Sequence, residues 1–294
     1  MVYIQIWGGL GNQMFQFAAA KAVSISGKTK VGICLDKINQ HPTNSDFTKR
    51  TFELDKVFVL KNFVFVNSSD YNYILHPGKS IFRKILNRLK RTSYFFEKGL
   101  SYDNSIKKLS AEAYIEGYFQ SENYFDSCME EILSDFRFRQ KPSEKTNELL
   151  IKIATKTSVA VHIRRGDFIE KKGNLATHGV CSNEYYISAI EQFKNYDNLI
   201  VVIVSDDPGW VYKNMNFGCD TVYVNWNADE DSWQDMYIIS KCNHAIIANS
   251  SFSWWGAMLN RNPEKKIIAP ARWYADEGLQ KQTADLIPTS WIKI

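Results

Sequence analysis

Short apolar runs rich in β-branched residues recur along the chain, separated by polar stretches with glycine or serine, and the spacing is most regular in the second half. Val2–Trp7 alternates and predicts a first strand. Gly8-Gly9-Leu10-Gly11-Asn12-Gln13 then forms a glycine turn, and Met14–Ser26 reads as a helix ended by Gly27. Val31–Leu35 predicts a second strand, so the chain opens with a β-α-β unit. Residues 37–110 are the least regular part, with strand candidates within Val57–Val66. Ala113–Phe119 reads as a strand leading into Gln120-Ser121, and Asn123–Phe136 as helical. Lys141-Pro142-Ser143 breaks the pattern before a helix over Ser143–Ala154.

Beyond that break, strands and helices alternate. Val159, Ala160, Val161 and Ile163 form a buried strand stopped by Gly166. A loop is expected over Glu170–Ser182 and a helix over Glu184–Lys194. Further strands are expected at Leu199–Val204, Thr221–Val224, His244–Ala248 and Lys266–Ala269, with a helix over Trp233–Lys241 and another after Asn249. Strand followed by polar tip, repeated, predicts a parallel doubly wound sheet whose ligands lie at its carboxyl edge. The expected domains are residues 1–142 and 143–294.

Bulk numbers narrow this picture modestly. A chain of 294 residues, 45% hydrophobic and 23% charged, has a real core and room for two domains. A net charge of +4 is too small to argue for nucleic acid. The five cysteines are far apart with no C-x-x-C pair, which removes zinc-ribbon and thioredoxin readings and suits reduced thiols in the cytoplasm. Met1 runs straight into V-Y-I-Q-I-W, which predicts no secretory leader, and no apolar run is long enough to span a bilayer. Ile81–Arg91 is an amphipathic, strongly basic stretch. It reads either as a solvated surface helix or as peripheral contact with the inner face of a membrane.

Chemistry concentrates at the strand tips. His162, Arg164, Arg165 and Asp167 follow one strand; Ser205, Asp206 and Asp207 another; Asn249, Ser250, Ser251 and Ser253 a third. Two adjacent guanidinium forks suit a diphosphate. Neighbouring residues point to opposite faces of a strand, so one arginine can instead pair with an acid as scaffold. Hydroxyls before a helix can cradle phosphate or simply cap the helix. An acid on a neighbouring tip (Asp206), or Asp235 on the preceding helix, can pair with the N1–H and N2–H₂ edge of guanine. Together these groups describe a nucleoside-diphosphate site.

Other chemistries fit less well. Neither G-x-x-x-x-G-K nor G-x-S-x-G occurs. A dinucleotide fingerprint would need glycines at 9, 11 and 14, and position 14 is Met, although Asp36 falls where a ribose-binding acid would. Asp229-Glu230-Asp231 has the D-x-D form of metal-dependent sugar transferases but lies in a polar loop and reads as a solvated turn.

Five blocks carry a family resemblance: G-G-L-G-N-Q-M-F-Q-F at 8–17, G-Y-F-Q at 117–120, H-I-R-R-G-D at 162–167, V-S-D-D at 204–207, and D-M-Y-I-I-S-K-C-N-H-A-I-I-A-N-S-S-F-S-W-W-G-A at 235–257. On these the sequence resembles the bacterial α-1,2-fucosyltransferases, inverting enzymes that use GDP-fucose. The resemblance implies an α/β, GT-B-like fold of two Rossmann-like domains facing each other across a cleft, with an N-terminal acceptor side and a C-terminal GDP-fucose side. It implies metal independence and no cofactor beyond the donor substrate. It puts Arg164 on the diphosphate, Arg165 in a supporting network with the acids, His162 and Asp235 on the guanosine, and Ser250 and Ser251 on the phosphates. Ser205, Asp206 and Asn249 complete that group. Gly9, Gly11, Asn12 and Gln13 would face the sugar-phosphate. Asp167 is the nearest carboxylate for a catalytic proton, with a structural role as the alternative. A non-catalytic nucleotide-sugar or glycan binding module on the same fold is the competing function.

Overall fold

The computed structural model describes residues 1–39, 50–76, 93–109, 111–170 and 172–294. They fall into two compact units: Met1–Arg139 with Gln282–Leu286, and Gln140–Lys281 with Ile287–Ile294. The chain therefore returns to the first unit near its end. There Gln282 accepts a hydrogen bond from the Leu100 N–H (3.1 Å) and Asp285 one from the Tyr102 N–H (3.2 Å).

The first unit is a five-stranded parallel sheet in the order β3-β2-β1-β5-β4. Its strands are β1 (Val2–Gln5), β2 (Val31–Cys34), β3 (Phe63–Val66), β4 (Ser93–Phe96) and β5 (Ala113–Glu116). The second is a six-stranded sheet in the order β11-β10-β9-β6-β7-β8, again parallel at every pairing. It comprises β6 (Thr157–Ile163), β7 (Leu199–Ser205), β8 (Asp220–Tyr223), β9 (His244–Ile246), β10 (Ile267–Ala269) and β11 (Ile292–Lys293). Every residue of β6 after Thr157 and of β7 after Leu199 is buried. That is why both read as continuous apolar runs rather than alternating ones. Val159, Val161, Ile163, Val201 and Ile203 share one core with Tyr186 and Phe193. Burying each such aliphatic side chain stabilises the fold by roughly 1.5–3 kcal/mol.

Strand order places the sites. In each sheet the first strand in sequence is flanked on both sides, β1 by β2 and β5, β6 by β7 and β9. The connections leave it in opposite directions and open a crevice beyond its carboxyl end, where ligands of doubly wound sheets bind.

Several boundaries differ from the sequence reading. The first helix, α1 (Leu10–Ser26), starts four residues early. Gly8 makes the turn at φ +79° and Gly9 is an extended N-cap, so Gly11, Asn12 and Gln13 belong to the first helical turns. A short helix, α2 (Gly166–Glu170), runs up to the expected loop at 170–182, and the loop itself contains a second, α3 (Lys172–His178). Leu54–Val57 is a helical turn before β3, and Asn123–Phe136 resolves into two 3₁₀ turns and a helix over Met129–Asp135. Strands β4 and β11 carried no clear signal, being short and only half-buried or exposed. The basic stretch Ile81–Arg91 lies outside the described residues. No helix among the described residues is long and apolar enough to cross a membrane. All five cysteines are free thiols.

Candidate active site

At the tip of β6 the chain turns polar while still enclosed. His162 is buried, with the Phe252 ring 5.9 Å away. Burial first, and the nearby Arg164 charge second, push its pKa down to about 3. The imidazole is therefore neutral at any working pH. Its Nδ1 is enclosed with no hydrogen-bond partner among the described residues. Such an atom costs about 1–3 kcal/mol unless something satisfies it.

The two arginines diverge, as adjacent residues must. Arg164 Nη1 lies 3.0 Å from Asp206 Oδ2, and its guanidinium is 5.3 Å from the Phe168 ring centre. The Arg165 guanidinium sits over Trp210, its carbon 3.5 Å from the ring centre, with Asp207 at 3.7 Å. Both heads are largely covered, so both forks are held in place before any ligand arrives. Asp206 does double duty, because it also accepts the Arg165 backbone N–H at 2.9 Å. Ser205 accepts the Asp207 N–H (3.0 Å), and Asp207 accepts the Trp210 N–H (3.1 Å), capping the helix α4 (Pro208–Asn214). The β7 tip is thus a scaffold that aims the β6 arginines. Gly166 is glycine for the same reason: a Cβ there would lie 2.5 Å from Asp206 Oδ2. The carboxylate can swing aside, so Gly166→Ala is expected to fold with a Tm close to wild type while kcat falls about 10–100-fold. Equal loss of stability and activity, by thermal melt and initial rates, would contradict that account.

The third tip follows β9 and leads into the helix α6 (Ser251–Met258). Asn249 is buried and donates to the carbonyls of His178 (2.9 Å) and Trp273 (3.0 Å), so it is a structural tie. Ser250 is the N-cap residue, yet its hydroxyl makes no cap hydrogen bond. The hydroxyls of the half-buried Ser250 and Ser251 therefore flank a helix N-terminus whose N–H groups attract anions. On the preceding helix α5 (Trp233–Lys241), Asp235 accepts a 2.8 Å hydrogen bond from Asn227 Nδ2. Burial, with a smaller push from Asp206, raises its carboxyl pKa to about 7 against the lowering effect of Asn227.

The 235–257 block is mostly packing. Trp254 and Trp255 are fully buried, and a Cβ at Gly256 would come within 2.9 Å of Ile239, so this glycine lets α6 press onto α5. The side chain of Asp167 lies outside the described residues. The residues that sequence reasoning missed here are Asn227, Phe168 and Trp210, which hold or back the polar groups. Asn227 sits in the loop that drew attention for its D-x-D pattern. That pattern is an exposed 3₁₀ turn in which Asp231 accepts from Gln234 Nε2 at 3.1 Å.

In the first unit the 8–17 and 117–120 blocks meet beside the β1/β5 crevice. Gln16 accepts the Trp7 N–H (3.1 Å) and donates to the Gly117 carbonyl (3.3 Å), and Gln120 Nε2 donates to Asn12 Oδ1 (2.8 Å). Gln13 is wholly buried and bonded to the Gly8 and Thr51 carbonyls and the Glu53 N–H. Its amide serves the backbone. A Cβ at Gly9 would meet the Arg50 guanidinium at 3.9 Å, an ordinary van der Waals contact.

Comparison with known proteins gives three findings. The family profile described as Glycosyl transferase family 11 matches residues 1–294. An alpha-1,2-colitosyltransferase of Escherichia coli is 31% identical over 303 residues, covering 100% of this chain and 99% of that protein, and the O-antigen biosynthesis glycosyltransferase WbnK of Escherichia coli is 31% identical with full coverage of both. Among solved structures, the NodZ α-1,6-fucosyltransferase of Bradyrhizobium, soaked with GDP-fucose, superimposes at a TM-score of 0.50 over 88% of this chain and 91% of its own, at 13% identity. That likeness establishes the fold as GT-B, with two Rossmann-like domains.

Proposed function

We infer the activity from membership: this chain belongs to glycosyl transferase family 11, and the sugar it moves is L-fucose, from GDP-β-L-fucose to the 2-hydroxyl of a terminal β-galactoside, with inversion to an α-1,2 link. The whole-length family match carries the glycosyl-transfer reading. The pre-held arginine fork at the β6 tip supports the diphosphate donor.

The chemistry follows from the charges. As the glycosidic bond breaks, the sugar becomes oxocarbenium-like and negative charge builds on the departing diphosphate. Arg164, locked by Asp206, neutralises that charge, and the Ser250 and Ser251 hydroxyls with the α6 N-terminus share it. One fixed donor of this kind lowers a barrier by roughly 3–4 kcal/mol. Arg165 and the β7 acids keep the fork in register. Asp235 and neutral His162 read the guanosine. Asp167 is the candidate for the acceptor proton.

With guanidinium in the role a divalent ion plays elsewhere, EDTA is expected to leave the initial rate unchanged; strong inhibition reversed by manganese would return attention to Asp229 and Asp231. The reading itself is tested by measuring GDP release from GDP-fucose with and without lactose, with product linkage read by NMR. Lactose-stimulated release with an α-1,2 product supports it. Tight GDP-fucose binding without release would instead make the chain a binding module. The colitosyltransferase likeness favours one neighbouring donor: colitose is fucose without its 3-hydroxyl, and the same nucleotide site serves both. A competition between GDP-fucose and GDP-colitose decides which sugar the enzyme prefers.

A further inference from the structure

The G-Y-F-Q turn after β5 is built against local strain. Phe119 has φ +55° with its ring fully buried, a conformation that costs a bulky L-residue on the order of 1–3 kcal/mol. A buried carboxylate holds it there. Glu97 Oε2 accepts the N–H groups of Tyr118 (2.6 Å) and Phe119 (3.0 Å), and its Oε1 accepts the Tyr124 hydroxyl at 3.0 Å. Gly117 makes room, because a Cβ there would lie 2.5 Å from Glu97 Cβ. The result of this bracing is that Phe119 turns inward and Tyr118 turns out, leaving Tyr118 40% exposed at the carboxyl edge of the sheet.

Tyr118 does not stand alone. Trp7, just past the end of β1, meets it at 79° with ring centres 5.6 Å apart. The Lys37 ammonium covers Trp7 at 5.1 Å from its ring centre and is itself paired with Glu116. Trp7 thus contacts both the Lys37 ammonium and the Tyr118 ring, and Tyr118 keeps 40% of its surface exposed. Glu116 and Gln120, two residues either side of it in sequence, are tied to Lys37 and Asn12.

We propose that Tyr118 is the stacking platform for the acceptor sugar, with Trp7 as its support. A galactopyranoside has one face of C–H groups and a rim of hydroxyls. An exposed aromatic face takes the first, and amide and charged groups beside it take the second. A single exposed tyrosine needs no explanation. A strained, carboxylate-braced loop that presents one beside the switch point of the sheet is a built feature. The inference rests on the galactoside-acceptor reading given above.

The test uses the full-length enzyme with Tyr118→Ala and Tyr118→Phe. Tyr118→Ala is expected to raise the KM for lactose about tenfold, the size of one stacking contact, with kcat and acceptor-free GDP release near wild type; Tyr118→Phe should keep the wild-type KM. An unchanged lactose KM in Tyr118→Ala, or an equal rise in donor KM, overturns the proposal while leaving the transferase reading intact. Saturation-transfer NMR with methyl β-D-galactoside separates the two readings, since it needs no turnover. Loss of the signal in Tyr118→Ala supports the platform. A signal that persists in that variant, or none in the wild type, overturns it. Failure of the wild type to release GDP from GDP-fucose overturns the transferase reading alone.

Discussion

Replacing Arg164 with alanine is expected to lower kcat for sugar transfer by roughly 10²–10³-fold, the loss typical when one preorganised donor to a developing anion is removed. The fold should survive. Asp206 keeps the Arg165 N–H as a partner, and its side chain remains partly open to solvent. GDP affinity should fall less than kcat, because the charge on the leaving diphosphate is larger in the transition state than in the bound donor. Arg164→Lys should recover only part of the rate, since an ammonium supplies charge without the planar fork. The measurements are single-turnover rates, GDP titration calorimetry and a thermal melt. A variant that melts like wild type and transfers sugar at near-normal rate would remove Arg164 from the mechanism.

Asp235→Ala is expected to weaken GDP binding about 10–100-fold, the range for hydrogen bonds to a charged acceptor. It should also erase the preference for GDP over IDP, which lacks the 2-amino group. The N1–H and N2–H₂ groups are both donors, so only the ionised carboxylate can accept from both at once. With its pKa raised to about 7, mainly by burial, Asp235 is mostly protonated below neutrality. Wild-type GDP affinity should therefore rise as pH climbs through about 7 and level off above it. In Asp235→Ala that limb should vanish. Removing Asn227, whose amide favours the ionised form, should move the limb to higher pH. An unaltered GDP-to-IDP ratio in the alanine variant would mean that the base is read elsewhere.

What the sequence made legible was set by burial. Strands β6 and β7 are covered on both faces, so most of their residues are apolar, and the polar groups at and after their ends stood out by contrast. The 235–257 block was visible for a mixed reason: Asp235, Ser250 and Ser251 are the proposed site groups, while Trp254, Trp255 and Gly256 are packing. Amides were the least readable. Gln13 and Asn249 looked like ligand contacts and are spent on backbone carbonyls, whereas Asn227, passed over, holds the acid. An amide offers a donor and an acceptor to fold and ligand alike, and only geometry tells the two uses apart. Helix α2 was hidden because the carboxylate that receives the Arg165 N–H at its start is Asp206, forty-one residues further on. No local pattern carries a tie of that span.

The late return of residues 282–286 to the first unit bears on how this enzyme can be dissected. A gene cut near codon 140 yields two polypeptides, neither of which holds a whole lobe: the amino-terminal fragment lacks the partners of Leu100 and Tyr102, and the other carries an orphaned pentapeptide just upstream of the edge strand β11. Chimeras between relatives that exchange the two lobes will need three junctions rather than one.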